Sequence, residues 1–338
     1  MLAEVSATGR RPTRAELTAL RTLGAEAAGA GYSLRTLVGG CLAAARTTWP
    51  ASSGSADRVL AAMEHAVDAL AEGFEQAQYV AVRQDEAARR QFIADLLHRG
   101  SDVGHLAERA ERFGLRLSHD HAVAVVQGAG ALDEHSPVAR SVELAVLGRF
   151  DARGILLTAK DGRLVCIAPG DQDDVLAYFA QHACDADAVA DGTKVAVGRP
   201  HPGAGGIAHS YEEALNALHL AERLDLPGPV LRAADLLVYP VLARDRDALA
   251  DLVEKTLGPL QEARGGAQPF LDTLAAYFNT GCVAAEAARR LALSVRAFTY
   301  RLERIGQLTG ADPSDPVHRY TLQTAVIGAR LLDWPLQA

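Results

Sequence analysis

The feature that most constrains the fold is a change in residue pattern near position 120. Before it, from Thr13 to about Gly100, Ala, Leu, Glu and Arg dominate and strand-forming alternation is almost absent, which predicts helices. After it, short runs rich in Val, Ile and Leu predict strands: AVAVVQG, GILLTA, RLVCIAPG and KVAVG. Helical stretches alternate with these strands, so the middle of the chain is predicted to be an α/β domain.

The length of 338 residues is too great for one ordinary core and fits two or three domains. We expect three: a helical sensing or dimerisation domain at 1–100, an α/β domain at 101–245 and an all-helical domain at 246–338. No apolar run approaches the ~20 residues of a membrane span, and the start lacks the apolar core of a signal peptide. The four cysteines are widely separated, without disulfide or zinc spacing. We therefore expect a cytoplasmic protein with no membrane partner.

A long helix is predicted from about Asp57 onward, and its composition continues without proline toward ARRQFIADLLHRG. Its apolar residues recur at spacings of three and four: Leu60, Met63, Val67, Leu70 and Phe74. Such a length fits a helix that pairs with another chain, and it fits a helix that spans a monomeric bundle equally well. Both interpretations stay open at this point.

Two local patterns in the middle domain predict turns and helix starts. The segment ILLTAKDGRLVCIA is typical of a hairpin with Asp161 and Gly162 at its turn, because this pair accepts positive φ values. Ser210 and Glu213 have the S-x-x-E spacing of a capping box, which predicts that a helix begins there.

The segment GAGGIA, Gly203 to Ala208, satisfies the G-x-G-x-x-A pattern of a dinucleotide-binding turn and follows the predicted strand KVAVG. In that fold the first glycine lies directly at the strand end, whereas Arg199 to Pro202 intervene here. A flexible loop before Ser210 explains the same residues without a ligand, so no cofactor is expected.

No other catalytic or metal-binding motif stands out. The chain lacks G-x-S-x-G, G-x-x-x-x-G-K-[ST] and H-E-x-x-H. The histidines that come nearest to a cluster straddle a helix, a linker and the start of a strand: His98, His105, His119 and His121. We expect these four side chains to be solvated, and we predict no catalytic residue and no metal site.

The stretch LALSVRAFTYRLERIGQLTG, residues 291–310, is predicted to contain an amphipathic helix. At 100° per residue, Phe298, Leu302 and Ile305 form one apolar stripe and the long polar side chains point away from it. The preceding segment VAAEAARRLALS predicts a short helix from Val283 to about Ala292, with small alanines where two helices cross closely. Ser294 is placed to cap the second helix. This is the spacing of a helix-turn-helix.

The charge of this region favours nucleic acid as its partner. Residues 281–310 hold five arginines and two glutamates, a net +3 in a chain whose net charge is −8. Six residues are the candidate DNA contacts: Ser294, Arg296, Thr299, Tyr300, Arg304 and Gln307. We expect Arg296 to read a base and Arg304 to contact a phosphate. A single helix-turn-helix reads half an operator, so a homodimer or higher even oligomer is expected. The alternative interpretation is an exposed charged helix in a plain bundle.

Residues 271–332 resemble the C-terminal helix-turn-helix domain of PucR/CdaR-type bacterial transcriptional regulators. The resemblance includes T-L-x-x-Y at 273–277, A-A-x-x-L at 287–291, Tyr-Arg-Leu at 300–302 and Leu-Thr-Gly at 308–310. Where that family usually has H-x-N-T at the start of the recognition helix, this chain has SVRA, so base preference does not carry over. The segment VAVGRPHPGAGGIAHSYEEALNAL is similar to the GGDEF-like module of the same family, and the N-terminal helices resemble the helical sensor domains of RsbR-type stress regulators.

The resemblance implies a multidomain α + α/β fold: an N-terminal helical bundle, a central GGDEF-like α/β domain without the catalytic motif, and a C-terminal all-α helix-turn-helix domain. The hairpin turn that carries G-G-[DE]-E-F in diguanylate cyclases is AKDGR here, residues 159–163, which lacks the paired acids that hold Mg²⁺.

We therefore predict a sequence-specific regulator that binds a double-stranded DNA operator, responds to an unknown small-molecule or protein signal, and has neither a cofactor nor enzymatic activity. Two alternatives stay open: a nucleotide-binding enzyme that uses the Gly203–Ala208 loop, and a stress-regulator-type adaptor for protein interactions.

Overall fold

The computed structural model of the chain divides into two compact units, residues 1–92 and 93–338. The structure describes residue 4 and residues 10–48, 56–100, 103–128, 130–133, 135–150, 153–186 and 192–335. Helices dominate, and one mixed sheet lies in the middle of the sequence, so the predicted multidomain α + α/β fold is confirmed. The domain borders proposed at residues 100 and 245 stay a prediction.

The first unit consists of helices α1 (Arg14–Gly29), α2 (Leu34–Thr48) and most of α3 (Ala56–Leu96). Helix α1 begins with a capping box, in which the Thr13 side chain accepts the Glu16 amide hydrogen and the Glu16 carboxylate accepts the Thr13 amide hydrogen.

Helix α3 has 41 residues and is therefore about 60 Å long, which confirms the predicted long helix. Leu70 and Phe74 are buried as its apolar spacing predicts, but Leu60 is 58% exposed. From Glu75 to Ala87 no residue of this helix is buried, although Tyr79, Val80 and Val82 lie in that segment.

The second unit begins with the end of α3 and with α4 (Val103–Arg112), a helix that the sequence analysis did not separate from its surroundings. The described residues that follow form six strands: β1 (Asp120–Gln127), β2 (Leu156–Lys160), β3 (Arg163–Pro169), β4 (Lys194–Val197), β5 (His201–Pro202) and β6 (Val230–Arg232). Their order in the sheet is β2-β3-β1-β4-β6, with β5 paired to β1. Only β4 and β6 are parallel among these pairs, so the sheet is mixed.

The predicted hairpin is present between β2 and β3. Asp161 and Gly162 have φ values of 51° and 73°, the left-handed conformation that a tight two-residue turn requires at both positions. The register pairs Lys160 with Arg163 directly beside the turn.

Helices cover both faces of the sheet at β1. Helices α5 (Pro137–Arg149) and α6 (Asp173–Ala186) pack against alternate residues of β1 and β3, with Phe179 fully buried among them. Helix α7 (Gly203–Leu224) packs against β1 and β4. Every residue from His121 to Val126 is buried as a result, which explains why β1 is a continuous apolar run.

The start of α7 differs from the prediction. The helix begins at Gly203, so GAGGIA forms its first turns, and the expected flexible loop is wrong. The predicted capping box is also wrong, because Ser210 lies inside the helix. Its buried Oγ accepts the backbone N–H of Val123 at 2.9 Å, so this serine joins the helix to the central strand.

The C-terminal part is all-helical. Its α-helices are α8 (Val238–Leu242), α9 (Arg246–Leu257), α10 (Gln268–Asn279), α11 (Ala284–Arg290), α12 (Val295–Thr309) and α13 (Pro316–Leu331), with short 3₁₀ turns at Ala233–Leu236 and Gly258–Leu260. Leu257, Leu274, Ile305 and Leu322 are fully buried in one shared core. This core fixes the orientation of α12 in the domain.

Candidate nucleic-acid interface

Helices α11 and α12 form the predicted helix-turn-helix. Phe298 of α12 is fully buried against Ala287 and Ala288 of α11, and its ring centroid lies 6.2 Å from that of Tyr277 on α10. The small alanines allow the two helices to approach closely, as predicted, although Ala284 is only half-buried and Ala285 is exposed.

The turn between these helices depends on two residues. Ala292 has a φ of 54°, a left-handed conformation that reverses the chain direction after α11. Ser294 is the N-cap of α12 and its side chain accepts the Ala297 amide hydrogen at 3.2 Å, as predicted. The buried stripe of α12 is also present, with Phe298 and Ile305 fully buried and Leu302 half-buried.

All six predicted contact residues lie on the exposed side of this unit, at the cap or along α12. Tyr300 is 68% exposed. Thr299 donates its hydroxyl hydrogen to the Val295 carbonyl at 3.0 Å, and the Arg304 guanidinium donates to Gln307 at 3.1 Å. Arg296 forms no hydrogen bond or ion pair with any residue that the structure describes. The face is therefore rich in donors, and no carboxylate of the described residues is bound to Arg296 or Arg304.

The arginines of α11 are in a different situation. Arg289 is paired with Glu286 on the same helix, and Arg290 lies 3.1 Å from the Asp225 carboxylate at the end of α7. Two more bonds join α7 to α13: the Arg330 side chain donates to the Leu224 carbonyl at 2.9 Å, and the Arg223 side chain donates to the Leu331 carbonyl at 2.6 Å. Helix α7 is thus anchored to the helix-turn-helix domain at its C-terminal end.

A second polar group lies near the start of α7, and sequence reasoning missed it. We call His201 of β5 with His209 and Glu213 of α7 the His–Glu cluster. Nε2 of His201 lies 3.2 Å from Oε1 of Glu213, and Nε2 of His209 lies 3.3 Å from the same oxygen. Arg199 binds the same carboxylate, donating from its backbone N–H to Oε2 and from Nε to Oε1, each at 2.9 Å.

Burial opposes ionisation of Glu213, but the hydrogen bonds from Arg199 and His201 outweigh it, and the pKa of Glu213 is lowered. His209 and Glu213 are four residues apart, which is a recognisable signal only if both lie on one helix. That signal was hidden because the helix was expected to begin at Ser210.

The four histidines singled out in the sequence do not behave alike. His98, His105 and His119 are exposed, but His121 is 2% exposed, so the expectation that it is solvated is wrong. Its Nδ1 lies 2.9 Å from the His119 carbonyl oxygen, and burial lowers the pKa of its imidazole. The buried part of β1 begins at His121, one residue before the apolar run AVAVVQG from which the strand was predicted.

The two domains have recognisable relatives. Residues 97–220 match the GGDEF-like domain family, and residues 270–327 match the PucR C-terminal helix-turn-helix domain. The chain therefore contains a GGDEF-like domain and a PucR-type helix-turn-helix domain, and the resemblance to PucR/CdaR-type regulators that the sequence indicated is confirmed at both.

Individual proteins are similar to this chain over part of its length. Uncharacterised proteins of Mycobacterium bovis and of two strains of Mycobacterium tuberculosis are each 31% identical over 159 residues. The matched segment is 47% of this chain and 35% of each relative, so this chain spans about a third of the length of the curated relatives it matches.

A crystal structure of a regulator of polyketide synthase expression from Bifidobacterium adolescentis is 22% identical, covering 73% of this chain and 99% of that one. Its TM-score of 0.34 is too low to support an argument. In the described part of the chain, no helix is both long enough and apolar enough to cross a membrane.

Proposed function

We propose that this chain is a sequence-specific DNA-binding transcriptional regulator that reads its operator with the exposed face of α12. The observation that carries the proposal is the lack of carboxylate partners for the arginines of that face among the described residues. It presents Arg296 and Arg304 without carboxylate partners among the described residues, on a helix whose opposite side is packed into the domain core. Phosphates and base edges are the partners that such donors require.

The two arginines have different proposed roles. Arg296 lies in the first turn of α12, where a recognition helix enters the major groove, and its planar fork matches O6 and N7 of guanine. Arg304 lies two turns later and is held by Gln307, which favours a phosphate contact. Ser294, Thr299, Tyr300 and Gln307 complete the proposed contact surface.

The experiment is fluorescence anisotropy with the full chain and DNA from the region upstream of its own coding sequence, over a salt series. Arg296→Ala should weaken binding to the best site by about 1–3 kcal/mol and relax preference at one base pair. Arg304→Ala should weaken binding to all sequences alike and lower the salt slope by about one unit. Arg140→Ala, an exposed arginine of α5, is the matched control and should bind like the parent. Folded Arg296→Ala and Arg304→Ala proteins that both retain parental affinity would refute the proposal.

The proposed regulator acts as a homodimer or a higher even oligomer. Helix α3 supports this part of the proposal, because Tyr79, Val80 and Val82 are exposed on a segment without a single buried residue. Light scattering on the full chain should give an even number of subunits, and Val82→Glu should shift the protein toward monomer. A wild-type monomer both free at micromolar concentration and on one full operator would contradict it.

In the proposed function, the GGDEF-like middle domain transmits a signal or has a purely structural role. It makes no cyclic dinucleotide. In the turn that corresponds to the cyclase motif, the ammonium group of Lys160 lies 3.5 Å from the carboxylate of Asp161, the one acid among residues 159–163. Two-metal nucleotidyl transfer requires carboxylates that hold both ions. Incubation with GTP and Mg²⁺ should yield no product above a heat-denatured control, and product formation would overturn this assignment.

The contacts of α7 support signal transfer between the domains. Its C-terminal end is joined to α11 through Asp225 and Arg290 and to α13 through Leu224 and Arg330. A ligand or protein that shifts α7 would therefore act directly on the helix-turn-helix. The chemical identity of that signal is a separate question from DNA reading.

A further inference from the structure

The His–Glu cluster has a donor set and a geometry that its structural role alone does not require. His201, on β5, is fixed close to α7 because Gly206 has no side chain: a Cβ there would lie 2.7 Å from the backbone carbonyl carbon of His201. His209 and Glu213 are one turn apart on the same helix, so both side chains project from one face. Three side chains from two elements therefore converge along the N-terminal half of a 22-residue helix.

The separations fit a tetrahedral metal ion. Two ligand atoms that each lie about 2.0–2.1 Å from zinc are about 3.3 Å apart at the tetrahedral angle. The two nitrogen–oxygen separations are 3.2 and 3.3 Å, and one ligand atom from each of the three residues lies within 4.8 Å of the others.

The chemistry of the donors selects the kind of ion. Two imidazoles and one carboxylate favour zinc and neighbouring divalent transition metals over calcium or magnesium, which prefer all-oxygen sites. A cavity of ≈ 550 Å³ adjoins the cluster and is lined by His209, Leu96, Leu106 and Gly205. His209 therefore lines a cavity whose size would admit a hydrated ion.

We propose that His201, His209 and Glu213 bind one divalent transition-metal ion, with zinc as the expected occupant. The proposal goes beyond DNA binding, since none of these residues belongs to the helix-turn-helix. It concerns a metal site in the GGDEF-like domain, on the helix whose other end contacts that motif.

Arg99 and Arg199 form hydrogen bonds to the proposed metal ligands. The proposal therefore predicts which of these bonds have to break when the ion binds. Arg99 donates to Nδ1 of His209 at 2.9 Å, so this nitrogen is the acceptor and Nε2 bears the ring proton that points to Glu213. A metal at Nε2 requires the other tautomer, with the proton on Nδ1, and Arg99 must then leave. It can do so because its side chain is 60% exposed and is already paired with Glu212. The backbone N–H of Arg199 retains Oε2 of Glu213 as its acceptor, whereas its guanidinium, which donates to Oε1 from Nε and Nη2, has to release Oε1 when that oxygen binds the ion.

The test uses the full chain without a histidine tag, freed of metal with a chelator and titrated with Zn²⁺ by calorimetry and with Co²⁺ by visible absorption. One ion per chain and a tetrahedral cobalt spectrum are expected. His209→Ala and His201→Ala should each lower the affinity by about tenfold or more, since even outer-shell changes cost 10–100-fold. His219→Ala, an exposed histidine on the same helix, is the matched control and should bind like the parent.

The Arg99→Ala variant distinguishes a metal site from a cluster that is held together only by hydrogen bonds. If the cluster binds an ion, removal of the competing guanidinium should raise the affinity several-fold, and unchanged or weaker binding would contradict the proposal. Circular dichroism verifies folding, and His209 is half-exposed, so its truncation leaves the core intact. Absence of one-to-one binding by the parent, or an equal loss in His219→Ala, would overturn the proposal. Either result leaves DNA reading by α12 untouched, because no DNA is present in the titration.

Discussion

Arg296 of α12 and Arg199 beside the His–Glu cluster have opposite surroundings. Arg296 extends from the domain without a bond to any residue that the structure describes, whereas Arg199 donates three hydrogen bonds to Glu213. A cation without an internal partner is available to an external one, and a cation bound to a partly buried carboxylate holds the protein together. The comparison teaches that the environment of an arginine, more than its place in a motif, decides whether it is available to an external partner or already bound within the fold.

The largest effect should come from a change in the core that packs beneath the exposed face of α12. Phe298→Ala removes a fully buried ring from the contact with Tyr277 and should lower the free energy of unfolding of the C-terminal domain by about 3–5 kcal/mol. DNA binding should be lost together with helicity, unlike in Arg296→Ala, where binding alone should fall. Urea denaturation followed by circular dichroism measures the first effect. A Phe298→Ala protein of parental stability would mean that α12 is not held by this core.

A smaller effect is expected at two neighbouring glycines at the start of α7, where substitution by alanine should have opposite effects on stability. Gly206→Ala places a Cβ within 2.8 Å of three atoms of His201 and should cost about 1–3 kcal/mol, because the backbone of β5 has to move. Gly205→Ala meets nothing within 4 Å and should stabilise the helix by up to about 1 kcal/mol. Thermal melting of both variants tests the pair. Equal effects at the two positions would contradict the close approach of His201 to the helix.

The same contrast explains how much the sequence could predict. In α12 the apolar spacing of Phe298, Leu302 and Ile305 and the cap at Ser294 all agree, so local pattern alone specifies the helix, its buried side and its exposed side. The hairpin at Asp161 is similarly local. The six proposed contact residues follow from the exposed side, although only DNA-binding data can test them.

The start of α7 could not be predicted in this way because tertiary contacts decide it. Gly203, Gly205 and Gly206 have low helix propensity, and the apparent capping box at Ser210 offered a better local start. In the fold, Ser210 instead binds the backbone of Val123, 87 positions away in the sequence. The His–Glu cluster depends on this helix start and on the approach of β5 to α7, so the sequence alone could not predict it. His121 is a similar case, since its burial depends on the sheet and not on its neighbours.

A direct comparison of the two arginines should give an effect of intermediate size. Arg199→Ala removes the two guanidinium donors to Glu213, keeps the backbone donor and should destabilise the protein by about 1–2 kcal/mol, discounted for the partial exposure of the guanidinium. Arg296→Ala should change stability by no more than about 0.5 kcal/mol, since it breaks no bond to any residue in the described part of the chain. Denaturant titrations of both proteins, with DNA affinity measured in parallel, provide the readout. A stability loss in Arg296→Ala equal to that in Arg199→Ala would remove the distinction.

The smallest effect should appear only as a dependence on pH, at the carboxylate that caps α13. Oδ1 of Asp315 accepts the amide hydrogens of Val317 at 2.9 Å and His318 at 3.0 Å, and these bonds, the one from His318 foremost, lower the pKa of Asp315. A carboxyl whose pKa is lower in the folded state stabilises the fold above its unfolded value of about 3.9, and this contribution is lost as the pH falls through the folded value.

Asp315→Asn keeps an oxygen at the cap but has no charge, so it should be less stable than the parent near neutral pH, and the difference should shrink on acidification toward about pH 2. Arg296→Ala is the control, because a side chain without an internal partner should give the same small difference at every pH. Melting curves across that range decide the matter. If the Asp315→Asn difference persists unchanged in acid, the cap acts through its shape and not through its charge.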